Sequence, residues 1–213
     1  GSKLGSQLSN LRFNPEDGMT VEFWLKKDSF DATKTKREVI FDLWNGETLG
    51  ATPASTAGRL LLELTSAADT PSFRLTYRSG STSVAGDLAI CDTAVSSSAV
   101  AAGAWNHYAL SVKSDIPSNE TVIKFYVNGD LNKQTNASGY INEETGALKA
   151  HIGALQTGTV LGGAKGSGLL MASLDEFRYW KEARTSEQIG RYWWSQVDGG
   201  SNTETPNTTL GVY

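Results

Sequence analysis

The sequence predicts an all-β fold in which two antiparallel sheets pack face to face as a jelly-roll sandwich. The strongest local signal lies between Trp105 and Leu131, where two stretches alternate apolar and polar residues with the period of two expected for half-buried strands. Asn128-Gly129 follows the second stretch and tolerates the positive φ angles of a two-residue hairpin turn. Further strand patterns recur at irregular spacing, without the intervening helices of a parallel sheet, so antiparallel pairing is favoured.

The remaining elements follow from the same periodicity. Strand patterns occur at 20–26, 39–44, 59–64, 72–78, 88–90, 148–152 and 169–180. The pattern at 88–90 is weak and lies in a segment rich in Ser, Ala, Thr and Gly, so we predict an edge strand there. Thr185 can cap a helix while Gln188 reaches back to it, and Ile189 and Trp193 repeat at helical spacing. One short C-terminal helix is therefore expected.

Composition excludes several classes of partner. The chain has 213 residues, a net charge of −4, 22 glycines and no apolar run long enough to cross a bilayer, which predicts one domain without membrane insertion. The only dense basic cluster, Lys34, Lys36 and Arg37, falls in a polar loop, so no nucleic-acid partner is expected. Cys91 is the only cysteine, and the core must stabilise the fold without an internal disulfide.

The ends of the chain suggest a piece of a larger protein. We expect residues 1–10 to be a tag remnant and lead-in, because Gly1-Ser2 resembles a cloning remnant. Residues 11–197 would form the sandwich domain. Residues 198–213 would lead into the rest of the protein, because Leu210 to Tyr213 resembles the start of a strand.

Several blocks together resemble laminin-G-like domains: 20–26, 105–112, 125–129, and 174–180 followed by 183–189. The resemblance covers about Met19 to Trp194 and implies a concanavalin A-like jelly roll, a superfamily of lectins, glycanases, pentraxins and protein-binding adhesion modules. The segment 182–199 also resembles modules of large virion and tail-fibre proteins of marine phages. These resemblances imply an extracellular, cell-surface or virion location.

The sequence does not show the pair of acidic residues that a glycanase on this fold would need. A glycanase needs two carboxylates a few ångströms apart on one face. Asp175 and Glu176 are adjacent on a strand and would point to opposite faces. Glu38 and Asp42 share a face under strict alternation, but Ile40 stands where the glucanase pattern has a third carboxylate. We therefore predict that the domain is not an enzyme.

Binding and metal sites have clearer candidates. Trp44, Asn45 and Glu47 place an aromatic ring, an amide and a carboxylate in one turn, which suits a sugar ring and its hydroxyls. The competing interpretation is that Trp44 caps the core. Relatives of the resembling fold bind calcium at the rim through Asp side chains, which implies Asp42 and Asp175 as candidate ligands. No other cofactor is expected.

We predict that the other tryptophans and His107 contribute to the structure and not to a binding site. We expect Trp24, Trp105 and Trp180, which lie inside strand patterns, to belong to the core. Trp193 and Trp194 are adjacent and point in different directions, so one should pack against the protein and the other should be more exposed to solvent. His107 is expected to be a hydrogen-bonded structural imidazole.

The leading hypothesis is a non-catalytic recognition module that binds a glycan or a cell-surface protein through its rim loops. A second hypothesis is a spacer or assembly domain of a phage fibre or adhesin, which contacts neighbouring domains of a larger chain. A glycan hydrolase on the same fold is the third.

Overall fold

The computed structural model describes residues 11, 14–30, 37–47, 57–66, 71–80, 82–141, 148–155 and 168–195, with the backbone alone at 82–85. The strands are β1 (Met19–Lys26), β2 (Glu38–Trp44), β3 (Gly58–Leu64), β4 (Phe73–Ser79), β5 (Thr82–Ala89), β6 (Trp105–Asp115), β7 (Glu120–Val127), β8 (Asp130–Ser138), β9 (Lys149–Ile152) and β10 (Ser173–Trp180). The helices with described bounds are α1 (Ser97–Val100) and α2 (Ser186–Tyr192).

The strands form two antiparallel sheets of five strands each, which confirms the predicted fold class. Sheet I has the order β10-β1-β6-β7-β8, and sheet II has the order β5-β4-β3-β2-β9. The predicted edge strand is the C-terminal part of β5, which lies at the edge of sheet II. The predicted domain borders at 10 and 197 fall outside the described residues and stay predictions.

Alternate side chains fill the space between the inner faces of the two sheets. Met19, Val21 and Phe23 of β1 are fully buried there, as are alternate residues of β3 and β4. The ring of Phe73 from sheet II lies 4.6 Å from Tyr108 and 4.7 Å from Phe125 of sheet I, centroid to centroid. Each such side chain contributes about 1.5–3 kcal/mol by leaving water, so this core holds the sheets together.

The prediction that Trp24, Trp105 and Trp180 belong to the core is wrong. Trp24 and Trp105 alternate with inward residues such as Phe23, so they lie on the outer face of sheet I. Trp180 pairs with the outward Thr20, and Trp105 is 44% exposed. Alternation along a strand shows which residues share a face, but it does not show which face points into the core. Large aromatic residues can therefore lie on the outer face.

The predicted C-terminal helix is α2, and its capping box is formed as expected. The Thr185 side chain accepts from the Gln188 backbone N–H at 3.1 Å, and the Gln188 side chain accepts from the Thr185 N–H at 2.8 Å. The four-residue helix α1 was not predicted, because its Ser and Ala residues carry no apolar period. Neither helix has the length and apolar character needed to span a bilayer.

The predicted hairpin turn joins β7 to β8, and the residue that follows α2 packs against it. Asn128 and Gly129 adopt φ angles of 49° and 87°. A Cβ at Gly129 would lie 2.3 Å from Cδ1 of Trp193, which follows α2. Trp193 in turn packs on Trp24 at 5.5 Å between ring centroids. As predicted for this pair, Trp193 packs whereas Trp194 is 55% exposed.

We expect Gly129→Ala to lower the free energy of unfolding by about 3 kcal/mol, because left-handed backbone strain adds to overlap with Trp193. Gly46→Ala is a matched control, since Gly46 has a φ of +88° and open space around its Cβ position. The control should lose about 1–2 kcal/mol from backbone strain alone. Urea denaturation measures both values, and equal losses would contradict the packing of Trp193 on this turn.

Candidate functional site

A β-bulge in β2 decides which of its carboxylates faces which side. Glu38 pairs with Leu64, which points inward, whereas Asp42 pairs with Leu61, which lies in a separate cluster on the outer face. The register shifts at Ile40, so one extra residue breaks the alternation. The expectation that Glu38 and Asp42 share a face is therefore wrong.

Each of these two carboxylates is bound by a buried cation. Lys27 Nζ donates to the two Glu38 carboxylate oxygens at 2.8 and 2.7 Å, and the Met171 N–H donates to Oε2 at 3.0 Å. Arg59 donates from Nε and Nη2 to the two oxygens of Asp42 at 2.7 and 2.6 Å. Such bidentate, charge-assisted pairs fix side-chain geometry. The two acids are thus ion-pair partners on opposite faces, an arrangement unlike the facing carboxylates of a glycosidase.

Trp44 lies on the outer face of sheet II, in a row of basic residues. The strand register places Lys149 of β9, Trp44 of β2, Arg59 of β3 and Arg78 of β4 side by side. The Arg59 guanidinium lies 5.9 Å from the indole centroid, and Trp44 Nε1 donates to the Glu47 carbonyl at 3.0 Å. The indole is half-buried and held at its edge. Trp44 therefore faces away from the core between the sheets.

The other two predicted ligand-binding residues have different roles in this turn. Asn45 is buried, and its Oδ1 accepts from the N–H groups of Glu47 at 3.2 Å and Gly58 at 3.1 Å. It therefore shapes the turn that holds Trp44. The Glu47 side chain is exposed at the rim, where its carboxylate can accept hydrogen bonds.

The structure does not bring the two predicted metal ligands together. Asp42 lies on sheet II with both oxygens bound by Arg59, whereas Asp175 lies on sheet I beside a bulge. The exposed Asp175 accepts from the Glu176 N–H at 2.8 Å. Within the described ranges, no three His, Cys, Asp or Glu side chains cluster as metal ligands would. The calcium prediction stays a prediction, and these two residues do not form one site.

Buried polar atoms that lack a hydrogen-bond partner among the described residues lie on the outer faces of both sheets. On sheet II they are Arg74 Nε, Arg78 Nε and His151 Nδ1, and on sheet I they include Arg178 Nε and Trp180 Nε1. Sequence reasoning missed Arg59, Arg78 and Lys149 as neighbours of Trp44. The alternation of Arg74, Thr76 and Arg78 on β4 was visible, but only the strand register shows which of them shares a row with the indole.

The outer face of sheet I is partly covered by α2 and holds a buried charge cluster. Glu22 is fully buried, its Oε1 accepts from Arg184 Nη1, and its Oε2 lies 3.7 Å from Arg178 Nη1 and 3.8 Å from His107 Nε2. Burial alone would raise the pKa of Glu22, but nearby His107 and Arg184 bring it below its usual value. The 3.8 Å separation from Glu22 is too long for a hydrogen bond, and neither ring nitrogen of His107 has a hydrogen-bond partner among the described residues, so the expected hydrogen bond to its ring is not found there.

Comparisons with known proteins agree with this architecture. The sequence profile of the Laminin_G_3 family, described as the concanavalin A-like lectin/glucanases superfamily, matches residues 1–190. The chain belongs to this superfamily. A search of curated proteins finds no significant match.

Solved structures similar to this superfamily member include two binding domains. The Ruminococcus gnavus IT-sialidase CBM40 has 14% identity and a TM-score of 0.50 over 84% of each chain. The botulinum neurotoxin serotype D binding domain has 10% identity and a TM-score of 0.50, over 86% of this chain and 36% of that one. At these identities the likeness shows the fold alone.

Asp42→Asn should lower the free energy of unfolding by about 3–5 kcal/mol, because it leaves the buried Arg59 charge without its anionic partner. Glu47→Gln, at an exposed position of the same turn, should change it by less than about 0.5 kcal/mol. Urea denaturation of both variants measures the difference. A loss at Asp42 no larger than that at Glu47 would show that the ion pair does not stabilise the sheet.

Proposed function

We propose that this domain is a non-catalytic recognition module that binds a glycan on the outer face of sheet II. The observation that carries the proposal is the position of Trp44. Its indole lies on this face, is partly exposed and is held at its edge by the Glu47 carbonyl. Membership of a superfamily that includes lectins supports the same function.

The neighbours of Trp44 supply the chemistry that a sugar needs. A pyranose ring packs its apolar face on an aromatic ring, while its hydroxyls require donors and acceptors. Lys149 and Arg78 provide donors in the same row, and the exposed Glu47 carboxylate provides an acceptor. Because the turn already fixes the indole, binding would order few additional side-chain torsions.

The same geometry argues against the glycan hydrolase alternative. Retaining enzymes hold two carboxylates about 5–5.5 Å apart, and inverting enzymes about 6.5–9.5 Å apart, on either side of one bond. Glu38 and Asp42 point to opposite faces and are each bound by a cation. The two acids that the sequence offered for hydrolysis therefore cannot flank one substrate.

A binding module of this kind would act outside the cell, on a glycan of a cell surface or of a surface protein. The similar CBM40 and neurotoxin binding domains share the fold, which is compatible with such a role. The marine phage virion or tail-fibre origin, and calcium as a cofactor, stay predictions.

An exposed apolar patch favours a second candidate function, that of an assembly domain. Leu169 and Met171 are 67% and 65% exposed, and Ile152 at the end of β9 is 52% exposed. The Leu170 N–H donates to the Gly153 carbonyl at 2.9 Å, so the two segments lie side by side. Sedimentation velocity tests this candidate. A stable oligomer that Leu169→Ser disperses would favour it, and a monomer at all concentrations would count against it.

The glycan proposal is tested by a broad glycan array with the wild type and with Trp44→Ala. We expect Trp44→Ala to weaken binding by about fivefold or more, because stacking on an aromatic ring contributes on the order of 1 kcal/mol or more. Trp194→Ala is the matched control, since Trp194 is also exposed but follows α2 on the other sheet. The control should bind normally.

Repeating the array with a chelator tests the calcium prediction separately. Binding that is lost with chelator and restored by calcium would support a metal. No binding to any glycan in either condition would contradict the proposed function. Equal losses in the two tryptophan variants would contradict the proposed site.

A further inference from the structure

Two arginines lie directly opposite each other on the outer face of sheet II. Arg59 of β3 pairs in register with Arg78 of β4. Like charges at directly opposite positions destabilise a sheet unless something neutralises them. Asp42 neutralises Arg59 through both of its oxygens. Arg78 forms no ion pair with any described residue, and its buried Nε has no hydrogen-bond partner.

Two other acidic groups near this face, Asp87 and Glu63, already have cationic partners. Asp87 lies 2.6 Å from Arg37 and 3.9 Å from Arg74, and Glu63 accepts from Arg37 at 3.3 Å. Lys149, at the far end of the same row, likewise forms no ion pair with the described residues. No acidic group of the described residues therefore pairs with Arg78 or Lys149 in this row, although the whole chain has a net charge of −4.

We propose that Arg78 binds an anionic group of the glycan, a carboxylate or a sulfate. The inference rests on the proposed function and names the ligand class of that site, an acidic glycan. A guanidinium presents parallel N–H donors that match the two oxygens of such a group. Arg78 is partly exposed, so a ligand can reach its outer nitrogens.

The spacing between Arg78 and Trp44 defines how an acidic glycan would lie. The two residues stand on β4 and β2, with β3 between them. Two interstrand spacings amount to about 10 Å. The sugar ring stacked on Trp44 and the sugar carrying the anion would therefore be different units of one chain, which crosses the strands over Arg59.

The ligand-free protein offers a first test that needs no ligand. Arg78→Gln removes a charged group whose buried Nε has no partner among the described residues, and should raise Tm by about 2 °C at low salt. Arg74→Gln, on the same strand and face, removes a partner of Asp87 and should lower Tm or leave it unchanged. A fall in Tm for Arg78→Gln would overturn the inference, because Arg78 would then stabilise the sheet without an anion.

Calorimetry with matched oligosaccharides is the second test. The probes are a trigalacturonate with its methyl ester, and a sulfated galactan oligosaccharide with its desulfated form. We expect the wild type to prefer one acidic member at least about tenfold over its neutral partner, and Arg78→Gln to lose that preference while keeping neutral binding. Arg74→Gln should keep the preference.

The outcomes separate this inference from the proposed function. Binding of neutral and acidic members alike, or a preference unaffected by Arg78→Gln, would overturn the inference and leave the glycan function standing. Stabilisation of the wild type by sodium sulfate through Arg78, without binding of any oligosaccharide, would identify a free anion as the ligand and overturn both.

Discussion

The buried ion pair between Asp42 and Arg59 determines the character of the outer face of sheet II. Both side chains are almost inaccessible to water, and Arg59 uses two nitrogens to hold both oxygens of Asp42. The desolvation penalty of such a pair can equal or exceed its Coulombic gain, so the pair adds little net stability. Its main effect here is to fix the positions of the two side chains. It fixes a guanidinium near the Trp44 ring and removes Asp42 as a partner for other cations.

This arrangement explains why binding is assigned to sheet II and not to sheet I. Helix α2 covers part of the outer face of sheet I, where Ile189 packs on Ala109 and Tyr126. The Trp193 indole packs against the hairpin at Gly129. A residue with a Cβ atom at this position would overlap the indole. The charged groups Arg178 and Arg184 pair with the buried Glu22 and are themselves largely buried. Sheet II keeps an indole and two basic side chains partly or fully accessible at its surface.

The sequence was sufficient for the elements whose signals are local. The alternation around Tyr108 and Phe125, the Asn128-Gly129 turn and the Thr185 capping box each predicted an element that the structure contains. Each depends on neighbouring residues alone. The fold class follows from these elements together, because antiparallel strands with one apolar face must bury that face against another layer, and the many strand patterns with one short helix make that layer a second sheet.

The candidate site depends on information that the sequence does not display. One extra residue at Ile40 turns Glu38 and Asp42 to opposite faces, and no local pattern announces a bulge. The row that joins Trp44 to Arg78 exists only through the register of β2, β3 and β4. Register is set by how whole strands bury their apolar faces. Single residues such as Trp44 could therefore be proposed from the sequence, whereas their neighbours could not.

NMR titration can show whether ligands bind the outer face of sheet II. A ¹⁵N-labelled sample, titrated with a glycan that binds on the array, reports separately on the indole N–H of each tryptophan and on the Nε–H of each arginine. We expect the largest shifts at the Trp44 indole and at Arg78 Nε–H, with Trp193 and Arg184 unchanged. Largest shifts at residues of α2 and sheet I, with Trp44 unaffected, would rule out binding on sheet II.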